Sequence, residues 1–183
     1  GNTPLFWTHL SYYGFDPNHG DQYCVSYFDA LSHRTQVQID YAKENPKSFP
    51  GYGACQLWGL SACFTKTGYD ICSPSNDIGV VAPFATCSAY PYKPRESLAA
   101  MKYMYRTYAP DLWGAGGFKD SISPSENFFV CPLYVGLDQS TVAPMIENIR
   151  TGLLWSLFMS NDEAQRMLKI LGMQESSEPC TCC

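Results

Sequence analysis

At 183 residues the chain has the length of one domain, with enough core to bury about 70% of its unfolded surface. A formal charge of -5 with only 12 Lys and Arg speaks against a nucleic-acid partner. No run of about 18 apolar residues occurs, so no membrane span is expected. The chain opens GNTPLFW, without an initiator Met or a signal peptide, which predicts a processed product or a piece of something larger. Rings are abundant (13 Tyr, 10 Phe, 4 Trp) against 16% charged residues. Flat rings with polar edges suit a carbohydrate site, because sugar C–H faces stack on them. A dense aromatic core explains the same composition.

Residues 3–19 mix aromatics with Gly14 and Pro17, an irregular segment expected to pack beneath a cleft, with His9 as a core histidine. Asp21 then caps a predicted helix over 21–44 whose inward stripe is Val25, Phe28, Leu31, Thr35 and Ile39, ended by Asn45–Pro46. LWGLSACF (57–64) reads as a short buried segment. Residues 65–80 read as a loop, in which Asp70 and Asp77 are candidates because functional groups favour loops on rigid scaffolds. VVAPFATCSAYPY re-enters the core. Pro94 opens a helix over 94–108 that is expected to bury Leu98, Met101, Tyr105 and Tyr108. A second long loop, 109–136, brings Trp113, Phe118, Asp120, Glu126 and Phe129, a composition that suits a cleft wall.

The stretch Leu133–Met159 stands out. An apolar run delivers one carboxylate, Asp138, and a long helix follows from about Ser140. Val142, Ile146, Ile149, Leu153 and Leu157 recur at helical spacing, while Met145, Leu154, Trp155 and Phe158 make most of the circumference apolar. Such a helix is expected to be buried nearly all round. Asp138 would sit near its positive pole and stay ionised there. Two readings stay open on the residues alone: an acid/base carboxylate, or a helix cap. A last helix over 161–171 follows, with Ser160 and Glu163 as a capping box, Met167, Leu168 and Leu171 inside and Gly172 as its stop.

Nine Cys cannot all pair within one chain. The six scattered ones read as buried free thiols. The terminal CTCC is a weak metal signal, set behind a disordered tail over 174–183. No convincing β-hairpin pattern emerges, so the expected class is all-α, four helices joined by long aromatic loops.

Taken together, PLFWTHLSYYGFDP (4–17), ENPKSFPGYG (44–53), WGLSAC (58–63), NDIGVVAPFATCSAYPY (76–92), LWGAGGFKD (112–120) and LDQSTVAPMIENIRTGLLWSLFMS (137–160) resemble the C-terminal half of the bacterial glucoamylase-like domain, the group that includes the endo-β-1,2-glucanases. The resemblance covers about residues 4–173, which makes 1–173 the C-terminal half of that catalytic domain. It implies part of an (α/α)6 toroid, inverting hydrolysis of a β-linked glucan without metal or organic cofactor, and a periplasmic or secreted location. Asp138 matches the Asp of an IDQGP-like motif, a catalytic-base position. Trp58, Asp77, Phe118 and Asp120 match motifs that line the glucan cleft, and Trp113 lies beside them. Glu147 and Arg150 match an ENYRTGLLW-like motif and read as an ion pair on a buried helix.

Three departures follow. Ser140–Thr141 stands where the family carries Gly-Pro. The family's general-acid glutamate, in a WNECL-like motif, lies upstream of the segment matching Pro4 and has no counterpart here. The N-terminal helices of the toroid are upstream as well. The expected partners are therefore a glucan or oligosaccharide and the missing N-terminal half, and the isolated chain is expected to be inactive. A glucan-binding or structural module without catalysis is the alternative.

Overall fold

The computed structural model describes residues 3–125 and 127–176. Glu126 and the CTCC tail, both singled out above, lie outside the described residues. In chain order the elements are α1 (Phe6–His9), β1 (His19–Gly20), α2 (Tyr27–Glu44), β2 (Ala62–Thr65), β3 (Gly68–Ile71), α3 (Pro83–Ser88), α4 (Pro94–Leu112), β4 (Trp113–Gly114), β5 (Gly117–Phe118), β6 (Ile122–Ser123), β7 (Phe129–Val130), α5 (Gly136–Gln139), α6 (Val142–Thr151), α7 (Leu153–Met159), α8 (Asp162–Leu171) and β8 (Gln174–Glu175). Helices dominate, but the strands form four antiparallel pairs, so the all-α expectation holds only for the larger elements. The β2–β3 hairpin was missed because the loop signals of Gly68, Pro74 and Asn76 masked its short pairing, which runs from Ala62↔Ile71 to Thr65↔Gly68. No helix among the described residues is long and apolar enough to cross a membrane.

The centre of the fold is α3 rather than the Asp138 helix. Every residue of α3 is buried, and it packs against α1, α4, α5 and α6. Its small side chains, Ala85, Thr86 and Ser88, allow neighbours to approach closely on all sides. The extended segment 57–61 runs beside it and is clamped by Gln38 of α2, whose amide accepts from Leu60 N–H at 3.0 Å and donates to Leu60 O at 3.2 Å. Around this frame gather Leu57, Trp58, Val81, Phe84, Met104 and Ile122, each at most 1% exposed.

Several sequence expectations shift in detail. Ser26, not Asp21, caps α2, its hydroxyl accepting from Asp29 N–H. Asp21 instead closes the preceding turn by accepting from Tyr23 and Cys24 N–H, and Val25 is exposed. Helix α4 continues to Leu112 through Pro110 and buries Ser97, Ala100, Met104 and Leu112, a face rotated from the expected one. Leu98 and Tyr105 point outward. Asn161 caps α8 in place of Ser160, while Gly172 ends it with a left-handed φ of 65°, as expected. Of the three residues expected inside α8, Leu168 is buried and Leu171 is exposed. Order runs past the expected boundary at 173, since β8 pairs with β1 and Ser176 N–H donates to Asn18 O.

The long helix of 140–159 is two helices. Gly152 takes φ 68° and breaks it. Asn148 holds the break together, its carbonyl oxygen accepting from Leu154 and Trp155 N–H while its amide donates to Tyr13 O. Met145, Asn148, Trp155 and Met159 are the buried residues of the pair. Ile149, Leu153, Leu157 and Phe158, expected in the core, are 43–61% exposed. The Glu147–Arg150 ion pair forms at 2.6 Å, but on the surface rather than in the core, where such pairs contribute about 0.2–1 kcal/mol.

Candidate active site

Asp138 lies in the single turn α5, directly after the extended run that brings the chain back from β7. The turn is locked onto α3 by Thr141, whose hydroxyl donates to Asp138 O at 2.9 Å and sits 2.7 Å from Ser88 Oγ. Ser140–Thr141, the departure from the family's Gly-Pro, is thus a hydrogen-bonded joint. Asp138 is fully buried, and neither carboxyl oxygen receives a hydrogen bond from a backbone N–H. It is therefore no helix cap.

What the carboxyl faces is Asp120. That residue is also fully buried and its charge acts on Asp138, although neither Asp138 oxygen has a hydrogen-bond partner among the described residues. Asp120 is set by the β2–β3 hairpin: Phe64 N–H donates to its Oδ2 at 2.7 Å, and Ser121 Oγ donates to Phe64 O. Two neighbouring buried carboxyls resist ionising together. Burial, then the charge of Asp120, pushes Asp138 up to about 7. Asp120 is raised by burial too, opposed by the Phe64 N–H and by Asp138. The expectation that a helix pole keeps Asp138 ionised is thus reversed. A helix dipole offers about 0.3–1 kcal/mol, and burying a charge costs several.

This arrangement has a measurable consequence. Between about pH 4, where an unfolded Asp releases its proton, and pH 7, the folded chain holds a proton that the unfolded chain does not. The stabilisation is complete at the acid end and is lost as pH rises towards 7, on the order of 2–4 kcal/mol from Asp138. Denaturant unfolding at stepped pH should show this loss, and Asp138→Asn should flatten it. Equal slopes in the two proteins would contradict the upward displacement of Asp138.

The aromatic residues divide into two groups. Trp113 and Phe118 meet edge to face at 4.8 Å on the β4–β5 hairpin, with Tyr105 stacked edge-on behind Trp113 at 5.3 Å. Trp113 and Phe118 form one wall of a pocket of about 250 Å³, closed on other sides by Phe84, Val142, Ile146 and Gln139. Gln139, next to Asp138, donates to Phe118 O at 3.1 Å and ties this wall to the carboxyl pair. Sequence reasoning gave Gln139 no role, although its place beside Asp138 was the available signal. It also passed over Tyr69 of β3, a half-exposed ring whose hydroxyl is raised mainly by burial and then by the charges of Asp138 and Asp120.

Trp58 and Asp77 are placed differently from their expected position in the cleft. Trp58 is 1% exposed within the core, its indole N–H without a partner. Asp77 is buried as a hub, accepting from Tyr41 Oη at 3.0 Å, Tyr52 Oη at 2.9 Å and Gly79 N–H at 2.9 Å. Desolvation, followed by Asp77, pushes the Tyr41 phenol up to about 12. Asp70 lies on the hairpin, accepting from Asn76. His9 is a core histidine, as expected. Its Nε2–H donates to Ala85 O at 3.0 Å, and burial pulls its pKa down to about 3, so the ring is neutral. Among the described residues no group of three or more His, Cys, Asp or Glu is placed to hold a metal ion.

Comparison with known proteins points in one direction. The model of the Glycoamylase family, described as "Putative glucoamylase", matches residues 1–162. An exo β-1,2-glucooligosaccharide sophorohydrolase from Parabacteroides distasonis is 38% identical over 165 residues, which cover 89% of this chain and 23% of that protein. A crystal structure from Bacteroides uniformis, described in the same words as the family, superposes with a TM-score of 0.90 at 43% identity, covering 94% of this chain and 42% of that one. An endo-β-1,2-glucanase from Chitinophaga pinensis, in complex with sophorotriose and glucose, gives 0.89 at 39% identity, covering 94% and 41%. The chain therefore spans less than half the length of these relatives.

Proposed function

The chain belongs to the glucoamylase-like family, and from that premise we propose that it carries the base side of the active site of a β-glucan hydrolase. The carrying observation is the buried Asp120–Asp138 pair beside the Trp113–Phe118 wall. An inverting hydrolase needs a proton donor on the leaving oxygen and a carboxylate acting on water at the opposite face, with roughly 6.5–9.5 Å between them. Two neighbouring carboxyls are too close to divide those tasks. Asp120 is thus the residue that sets the protonation of Asp138, Asp138 is the base, and the general acid comes from outside these 183 residues. Trp113 and Phe118 offer the sugar a ring surface, and oligosaccharides of β-1,2-linked glucose are the substrate class that the relatives' names support.

The partner that completes the cleft is the remainder of the toroid. The exposed row Ile149, Leu153, Leu157 and Phe158 fits that role, because an apolar face of this kind is normally covered. A periplasmic or extracellular location accompanies this reading. For the chain by itself, a second reading is favoured by the full burial of Asp138: glucan binding without turnover.

The test is an assay of the parent protein, with the upstream segment restored, on linear β-1,2-glucan. Reducing ends should appear, and proton NMR of the fresh product should show the α-anomer. The 183-residue chain should release none, while a glucan titration followed by Trp fluorescence reports any binding. Retained β-configuration would reject the inverting mechanism, and hydrolysis by the isolated chain would reject the division of the site.

A further inference from the structure

We propose that Cys63 and Cys72 form a disulfide that staples the β2–β3 hairpin. The register pairs Ala62 with Ile71 and Cys63 with Asp70, and Cys72 N–H extends the pairing by donating to Ser61 O at 3.2 Å. Side chains alternate along a strand, so Ser61, Cys63, Asp70 and Cys72 share one face, with the two cysteines as diagonal neighbours. Both are fully buried on that face. Both are free thiols in this structure, and Cys72 beside it, together with burial, holds Cys63 well above the usual thiol range. Cys87 and Cys131, raised chiefly by burial, show no such neighbouring thiol. The six scattered cysteines are free thiols, as expected, but Cys55 is exposed and Cys24 half-buried.

The chemistry is thiol–disulfide exchange with a small-molecule disulfide such as oxidised glutathione. One cysteine thiolate attacks a sulfur of that disulfide, forming a mixed disulfide and releasing one thiol. The second cysteine attacks the protein-side sulfur, closes the bridge and releases the second thiol. The two protein thiols are oxidised, and the small disulfide is reduced by the same two electrons and takes up the two protons. Because both thiols are buried in the fold, exchange is slow in the native state and occurs while the chain folds. The bridge holds Phe64, one residue from Cys63, against Asp120.

The protein is unfolded, refolded into a glutathione redox buffer, quenched in acid, alkylated in denaturant and mapped by mass spectrometry. The expected result is a fragment in which Cys63 and Cys72 are joined and unalkylated, with the other described cysteines alkylated. The oxidised protein should melt about 5–10 °C above the reduced one, as closure of a loop of about ten residues implies, and Cys72→Ser should abolish the difference. Full alkylation of both cysteines in the refolded protein, or their joining to other cysteines, would overturn the proposal.

Discussion

Asp138→Asn in the parent protein is expected to lower turnover of linear β-1,2-glucan by about 10²–10⁴-fold, the usual contribution of a positioned acid or base. The fold should survive. Asn keeps the shape of the side chain, and the carboxyl it replaces is uncharged in much of the folded population near pH 7. Above that pH the variant should be the more stable protein, because it no longer buries a charge beside Asp120. Stability retained together with turnover lost is the signature of a base. A cap would give the opposite pair of results, about 1 kcal/mol of stability lost with chemistry unchanged. Unaltered turnover would remove Asp138 from the mechanism. Asp120→Asn provides the companion measurement. If Asp120 sets the protonation of Asp138, its loss shifts the pH profile of turnover to the acid side rather than only lowering its height.

Gly59→Ala is expected to cost about 3–5 kcal/mol, because backbone strain and crowding add at this position. Gly59 has φ 107°, a region that L side chains rarely adopt, and an added Cβ would lie 2.5 Å from Thr86 Oγ1 and 3.1 Å from Thr86 N. Both obstacles belong to α3, the buried centre of the fold, and Gly59 O accepts from Ala82 N–H at 3.1 Å just before it. Neither side can yield without moving the core. Gly68→Ala separates strain from crowding, since its φ is 137° but nothing lies within 4 Å of the added carbon. It should cost only about 1–3 kcal/mol. Equal losses in urea denaturation of the two variants would show that backbone strain alone accounts for Gly59, and that its contact with α3 is unimportant.

The sequence by itself determined what depends on neighbours in the chain. Pro94 at the start of α4, Asn45 and Gly172 in left-handed stops, and the Glu147–Arg150 pair all follow from residues a few positions apart. The ordered motifs were legible for the same reason, and they singled out Asp138 with its Ser140–Thr141 joint. The tertiary structure alone decided whatever depends on distant segments meeting. Phe64 reaches Asp120 across 56 positions, and Asp120 acts on Asp138 from another loop, so no local pattern announced that the two buried carboxyls are neighbours. The burial of Trp58 and Asp77 was hidden in the same way, because the partners that enclose them, such as Tyr41 and Tyr52 around Asp77, lie far away in the chain. Even the apolar face of 140–159 misled, since hydrophobicity states that a surface is to be covered but not by what. Here the covering surface for Ile149, Leu153, Leu157 and Phe158 is absent from the described residues, and only the buried remainder of the helix pair, Met145, Asn148, Trp155 and Met159, faces this chain's own core.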